Sequence, residues 1–322
     1  MGLLPSAGRV KTPYNRGVER FLVTGAFGCI GAWVVHELVR GGRDVVMFDL
    51  ATEPRRLRLL LGDEADAVAH VAGDITDLAA LDAAVELHDV TNVIHLAALQ
   101  VPLVRADPPL GARVNVVGTT NVFEVARRRG LAPVVYASSI AALDGDAGTA
   151  GTPSTLYGVF KRANEQAAQV YFAESGLSSV GLRPHTVYGV GRDQGLTSAP
   201  TTAMLAAAAG VPYRIPFGGA CQMQLARDVA RAFVAASDAG ATGASVHNLP
   251  APTVRVADVV AAIGADGIEV DETPLPFPAE SDSTSFRALV PGFEPTPLAD
   301  GVRGTVDAFR ALLARGLVEP PG

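Results

Sequence analysis

The chain has 322 residues, 48% hydrophobic and 18% charged, enough for one large α/β unit with or without a smaller lobe. A formal net charge of −7 and no long basic run argue against a nucleic-acid partner. Two cysteines, Cys29 and Cys221, are too few for a disulfide framework or a zinc site, and the apolar runs are too short for a membrane span.

Residues Met1–Glu19 carry Pro5, Lys11, Pro13 and Arg16 and lack the apolar stretch of a signal peptide. They read as a flexible tail on a soluble, cytoplasmic protein. Arg20–Thr24 is a short apolar run ending in a glycine turn, and Ala32–Arg40 reads as a helix. Strands follow at Asp44–Asp49, Val68–Gly73 and Asn92–Ala97, with the helix Asp77–Leu87 between the last two. Next come the helix Val114–Arg129, the strand Pro133–Ser138, the helix Tyr157–Glu174 and the strand Ser178–Leu182. Short apolar strands alternating with helices predict an α/β fold, a Rossmann-type doubly wound parallel sheet covered on both faces.

After Val190 the pattern changes. Helical stretches at Thr202–Ala209, Asp228–Ala239 and Val256–Ala262 alternate with turn-rich segments. The prolines of Pro274–Pro278 and Pro291–Pro297 interrupt the chain before a final helix, Leu298–Arg315. The expected organisation is a cofactor-binding domain over 20–190 that carries the catalytic residues. A smaller C-terminal substrate lobe over 191–322 is interleaved with the last sheet strands.

Thr24-Gly-Ala-Phe-Gly28-Cys-Ile-Gly31 lies between a predicted strand and a predicted helix. Glycines at this spacing allow a tight turn, close approach of backbone to a pyrophosphate, and close helix–strand packing. The helix N-terminus supplies N–H groups and a positive dipole end for that anion. Asp49 ends the next strand, at the interval where a carboxylate accepts from the adenosine ribose hydroxyls and repels a 2′-phosphate. That favours NAD over NADP, although Arg55 and Arg56 nearby leave NADP open. Asp74 follows the third strand and is placed for the adenine, while Thr76 or Asp77 is placed as a helix N-cap.

Tyr157 and Lys161, four residues apart, fall on one helical face. A lysine beside a phenol can stabilise the phenolate and lower its pKa, making the tyrosine a proton shuttle for a substrate alcohol. The histidines are scattered without metal-ligand spacing, and His95, ending an apolar strand, reads as a satisfied core residue.

In order, the glycine turn at 24–31, Gly73-Asp74, His95-Leu-Ala-Ala98, Asn115, Tyr136-Ala-Ser-Ser139, Tyr157/Lys161 and Leu182-Arg-Pro-His-Thr-Val-Tyr-Gly189 resemble the extended short-chain dehydrogenase/reductase family. This family includes nucleotide-sugar epimerases and dehydratases and a short-chain L-threonine dehydrogenase. The resemblance implies that Gly25, Phe27, Gly28, Cys29 and Ile30 hold the cofactor pyrophosphate and Asp49 and Leu50 its ribose. It assigns Asp74 and Ile75 to the adenine edge, and Leu96, Ala97, Ala98 and Gln100 to the loop that passes the riboses. Asn115 buttresses the site, and Pro184, His185 and Val187 line the nicotinamide. Ser139 is the implied catalytic hydroxyl, Ser138 supports it or touches the cofactor, and Tyr157 and Lys161 complete the centre. A homodimer through Val114–Arg129 and Tyr157–Glu174 is likewise implied.

Three departures bear on the substrate. Ser139 precedes Tyr157 by only 18 residues, so the loop Ala141–Ser154 is short. Cys221-Gln-Met-Gln224 stands where the sugar-nucleotide epimerases carry an arginine for the diphosphate, and Thr186 replaces an asparagine. A diphosphate requires cationic or backbone donors, so these changes point away from nucleotide sugars unless Arg192, Arg214 or Arg227 compensates. Thr186, Thr197, Ser198 and Gln222, with Ser139, are candidates to bind a polyhydroxylated substrate.

The expected function is therefore NAD-dependent oxidation of a secondary hydroxyl on a carbohydrate-like or small polar molecule, with the ketone released or re-reduced on its other face. A nucleotide-sugar 4-epimerase or dehydratase is the alternative. Ile140 and Ala141 after Ser139 disfavour the dehydratase branch, because dehydratases of this family tend to carry acids there. A non-catalytic NAD(P)-binding regulator is the alternative of another class, and the intact Ser139, Tyr157 and Lys161 argue against it.

Overall fold

The computed structural model describes residues 19–131, 133–143 and 152–321. The N-terminal tail lies almost wholly outside that range, as does most of the short loop after Ser139. The first half alternates β1 (Arg20–Thr24), α1 (Cys29–Arg40), β2 (Asp44–Asp49), α2 (Arg55–Leu61), β3 (Ala69–Ala72), α3 (Leu78–Leu87) and β4 (Asn92–His95). Two short helices follow, α4 (Val101–Ala106) and α5 (Pro108–Ala112), then a π-helical turn at Arg113–Val117 that runs into α6 (Gly118–Arg129). Next come β5 (Val134–Ala137), α7 (Leu156–Ser175), β6 (Ser179–Arg183) and β7 (Thr186–Tyr188). The remainder holds α8 (Ala199–Ala209), β8 (Tyr213–Ile215), β9 (Ala220–Leu225), α9 (Ala226–Asp238) and β10 (Ala244–Asn248). It closes with β11 (Thr253–Arg255), α10 (Val256–Ile263), β12 (Ile268–Val270), α11 (Thr284–Leu289) and α12 (Leu298–Ala314).

Seven strands form one sheet in the order β10-β6-β5-β4-β1-β2-β3, every pair parallel. The strands are apolar runs because both faces are covered. Alternate residues of β1 serve opposite faces: Phe21 and Val23 pack with α1 and α9, and Leu22 packs with residues of α3, α6 and α7. The order reverses between β1 and β4, whose ends Thr24 and His95 lie in register. A crevice outside the carboxyl ends of such strands is where this architecture binds its ligand.

The later segments add a three-stranded sheet (β11-β9-β7) and a two-stranded one (β12-β8). A separate apolar cluster including Met204, Ile215, Met223, Val302 and Phe309 fills this part. The chain re-enters the large sheet at β10, beside β6. Among the described residues no helix is long and apolar enough to cross a membrane.

Candidate active site

Between β1 and α1 the backbone turns sharply at Gly25, whose φ of +66° is left-handed. A Cβ at Gly25 would lie 2.5 Å from the Ala97 amide nitrogen, and one at Gly31 would lie 2.1 Å from the Gly25 carbonyl oxygen. The glycines thus bring the turn against the β4 loop and helix α1. The α1 N-cap, Gly28, makes no side-chain cap, and the first helical turn carries no acid. Its leading amides suit a phosphate-bearing ligand, which fits the pyrophosphate of a dinucleotide. Gly31→Ala is expected to shift the turn, since the clash is with backbone, and to weaken NADH binding at least about tenfold in a fluorescence titration.

Asp49 is tied to that turn: its Oδ2 accepts from the Phe27 amide at 2.9 Å and its Oδ1 from Ala51 at 3.0 Å. Arg56 donates to the Phe27 carbonyl and pairs with Asp193, so it is already engaged, whereas Arg55 points to solvent. Leu50 is exposed beyond the strand end. Asp74 accepts from the Thr76 amide, and Asp77, not Thr76, caps α3 through the amides of Ala79 and Ala80. Ile75 is buried and packs in the core beneath the sheet edge.

Asn115, fully buried in the π-helical turn, clamps Leu99 from both sides: its Oδ1 accepts from the Leu99 amide and its Nδ2 donates to the carbonyl. It shapes the loop Leu96–Gln100 from behind and does not line the cleft. His95 is bonded on both ring nitrogens. The Thr119 hydroxyl proton goes to the Asn115 carbonyl, so Nε2 of His95 donates to Thr119 and Nδ1 accepts from Thr24. Burial pushes its pKa down to about 3, which matches a neutral core histidine.

Ser139 follows β5, and its Oγ accepts from the Ala141 amide at 3.2 Å. Thr155 caps α7 through the Gly158 amide and so sets Tyr157 in the first helical turn. A Cβ at Gly158 would lie 2.0 Å from the Ala141 carbonyl oxygen, so glycine lets α7 approach the Ser139 turn. The Ser139 hydroxyl lies close enough to the Tyr157 phenol to lower its pKa. Lys161 is buried, donates to the Ala137 carbonyl at 2.7 Å, and lies 5.7 Å from the centre of the Tyr157 ring.

The electrostatics depart from the expected lysine effect. Burial raises the Tyr157 pKa, and the Ser139 hydroxyl and the Arg192 charge oppose it. Lys161 is spent on a backbone carbonyl, and its own pKa is pushed down to about 8 by burial, against the pull of Glu165. One helical turn beyond Lys161, Glu165 accepts from the Ser138 hydroxyl and forms a two-pronged ion pair with Arg183, at 2.6 and 2.7 Å.

The cleft is lined by Gly25, Gly28, Cys29, Ile30, Leu96, Ala98, Gln100, Ser138, Ser139, Tyr157, Lys161, Pro184, His185, Thr186, Val187 and Thr197, all expected from sequence. Burial raises the Cys29 thiol to about 11, so it is an inert wall. Two substrate candidates lie outside the cleft lining. Gln222 is buried in β9 with its amide bonded to Ala251 and Ser281, and the Ser198 hydroxyl donates to Gly195. Gln222 ties β9 to distant segments, Ser198 bonds within its own turn, and neither side chain lines the cleft. Phe277 was missed. The segment that carries it is held by His185, which donates from Nε2 to the Pro278 carbonyl at 2.7 Å, and nothing in its proline-rich sequence signals a cleft residue. Arg192 also lines the cleft, whereas Arg214 pairs with Glu269 and Asp271, and Arg227 with Glu37.

A parallel sheet with a glycine turn at its switch point and a serine, tyrosine and lysine converging on the same cleft defines an extended short-chain dehydrogenase/reductase. The chain belongs to the NAD dependent epimerase/dehydratase family, whose model matches residues 21–249. It is 30% identical to a UDP-glucose 4-epimerase of Mycolicibacterium smegmatis, over 90% of this chain and 98% of that one. It is 31% identical to UDP-glucuronate 4-epimerase 4 of Arabidopsis thaliana, over 58% of this chain but only 45% of the relative's length. Among solved structures it resembles the Thermus thermophilus UDP-glucose 4-epimerase complex with NAD (26% identity, TM-score 0.75, covering 90% of this chain and 99% of that one). An L-threonine dehydrogenase from Cupriavidus necator is similar as well (25% identity, TM-score 0.77, covering 91% and 99%).

Proposed function

We propose that this chain oxidises a secondary hydroxyl of a small, polar, carbohydrate-like substrate with NAD as cofactor. The observation that carries this reading is the convergence of Ser139, Tyr157 and Lys161 on one cleft with the Gly25–Gly31 turn. NAD, when bound, supplies the hydride acceptor. The glycine turn with the α1 N-terminus would hold its pyrophosphate and Asp49 its ribose, while Leu96, Ala98, Pro184, His185 and Val187 would flank the rest. Ser139 orients the substrate oxygen, Tyr157 as phenolate takes the proton from that oxygen and becomes a neutral phenol, and buried Lys161 offsets the negative charge the phenolate carries before that transfer. Residues 20–190 serve as the cofactor domain and 191–322 as the substrate lobe.

Epimerisation is the second reading, favoured by the full-length similarity to a UDP-glucose 4-epimerase. In that case the ketone is re-reduced on its other face and no free NADH accumulates. A homodimer is also part of the proposal, supported by exposed apolar residues of α7, namely Leu156, Val159, Val170 and Phe172.

The test is a thermal-shift series with NAD, NADH and NADP, followed by turnover. NAD and NADH are expected to raise the melting temperature more than NADP does. Absence of any shift would discard the cofactor assignment. Accumulating NADH marks a dehydrogenase, and product without free NADH marks an epimerase.

A further inference from the structure

Arg192 sits in the catalytic cleft as a cation that pairs with no carboxylate among the described residues. Its Nη1 donates to Gln100 Oε1 at 3.2 Å and its Nη2 to Thr197 Oγ1 at 3.1 Å, both neutral acceptors. Its Nε is buried and has no hydrogen-bond partner. The adjacent acid, Asp193, turns away to Arg56. A buried donor on a charged group that meets no acceptor costs free energy and calls for a ligand or another explanation.

The surrounding loop is shaped around this side chain. Gly195 has a φ of +101°, and a Cβ there would lie 1.9 Å from Gln100 Oε1 and 3.1 Å from Arg192 Nη2. A side chain at 195 would strain the backbone and crowd the Gln100–Arg192 pair. Among the described residues lining the cleft there is no aspartate or glutamate, and the arginine and lysine there are Arg192 and Lys161. Lys161 is bound to the Ala137 carbonyl. One guanidinium, its Nε hydrogen unpartnered among the described residues, therefore lines the reaction space.

We propose that Arg192 receives a carboxylate of the substrate, so that this enzyme acts on a hydroxy acid whose carbinol is presented to Ser139 and Tyr157. A planar carboxylate matches the fork of a guanidinium, and a single negative charge matches the single free cation. A diphosphate carries more charge than this one side chain balances. The cofactor pyrophosphate already has the α1 amides. The inference rests on the dehydrogenase reading of the same cleft and adds its substrate class.

The test uses NAD-saturated protein titrated with glycerate, gluconate and glucuronate, their neutral counterparts glycerol, glucitol and glucose, and UDP and UDP-glucose. At least one acid is expected to bind ten- to a hundredfold more tightly than its neutral counterpart. Arg192→Gln is expected to erase that preference and leave NADH affinity within about twofold, and Arg192→Lys to restore part of it. Gly195→Ala, which displaces Gln100 and Arg192 and keeps the charge, is expected to weaken acid binding as well. The proposal is overturned if no acid outbinds its neutral counterpart, or if the preference survives Arg192→Gln. It is also overturned if that variant loses NADH affinity, which assigns the guanidinium to the cofactor, or loses UDP binding alone, which assigns it to a diphosphate. Failure of the parent protein to bind NAD at all sinks the dehydrogenase reading itself.

Discussion

Tyr157→Phe is expected to lower kcat by about 10²–10⁴-fold, the contribution of a positioned proton-transfer group, while NADH affinity stays within about threefold. The ring remains and only the hydroxyl is lost, so α7 keeps its packing and Lys161 keeps its bond to the Ala137 carbonyl. Burial raises the phenol pKa in this cleft, which makes the group reluctant to ionise to the phenolate that accepts the alcohol proton. Two features act against that reluctance: the Ser139 hydroxyl close to the phenol and the Arg192 charge. Removing the first by Ser139→Ala should raise the apparent pKa of the acidic limb for alcohol oxidation and lower kcat. Steady-state rates across pH, beside a fluorescence titration with NADH, check both points. Near-wild-type turnover by Tyr157→Phe sinks the proton-shuttle role.

The sheet was legible from sequence because parallel strands covered on both faces are apolar runs, and the alternation with helices left little choice of topology. The glycine turn was legible for a stronger reason. Gly25 and Gly31 stand where any Cβ meets backbone, so the residue type itself reports the close approach. Tyr157 and Lys161 were legible as a helical pair, but the state of the pair was not. The direction of the tyrosine pKa depends on burial, and the lysine has a carbonyl partner that spacing does not reveal.

The substrate end was the least legible part. Gln222 and Ser198 are polar residues near the right segments, yet their side chains bond to the carbonyls of Ala251 and Ser281 and of Gly195. Polar type and proximity do not separate a ligand contact from an internal bond. Helix α2 gives little sequence signal because Arg55–Leu61 is short and begins without a capping side chain. The strands β7, β8 and β12, three residues each, give no periodic signal at all.

Glu165→Gln is the substitution expected to have the largest effect outside the cleft. Glu165 and Arg183 carry side chains only 8% and 17% exposed, so solvent does little to compensate either charge. Removing one partner of such a pair leaves the other buried and unbalanced, at a cost on the order of 3 kcal/mol. Thermal unfolding should register a fall of roughly 5–10 °C. The same substitution reaches the reaction centre by two routes. Ser138 loses its carboxylate acceptor, which loosens the end of β5 from which Ser139 projects. Lys161 loses the negative charge that holds its pKa up against burial, so its pKa moves below about 8. The ammonium is then lost at a lower pH, and the basic limb of the kcat profile should move down. The stability effect of Lys161 has its own sign. Its folded pKa lies below the ordinary lysine value of 10.5, so burying the ammonium costs stability below about pH 8, and that cost is relieved as pH rises toward 10.5. Glu165→Gln should enlarge this rise and extend it to lower pH. A merely structural glutamate would lower the melting temperature and leave the basic limb in place, and that outcome would remove Glu165 from any part in setting the lysine's charge.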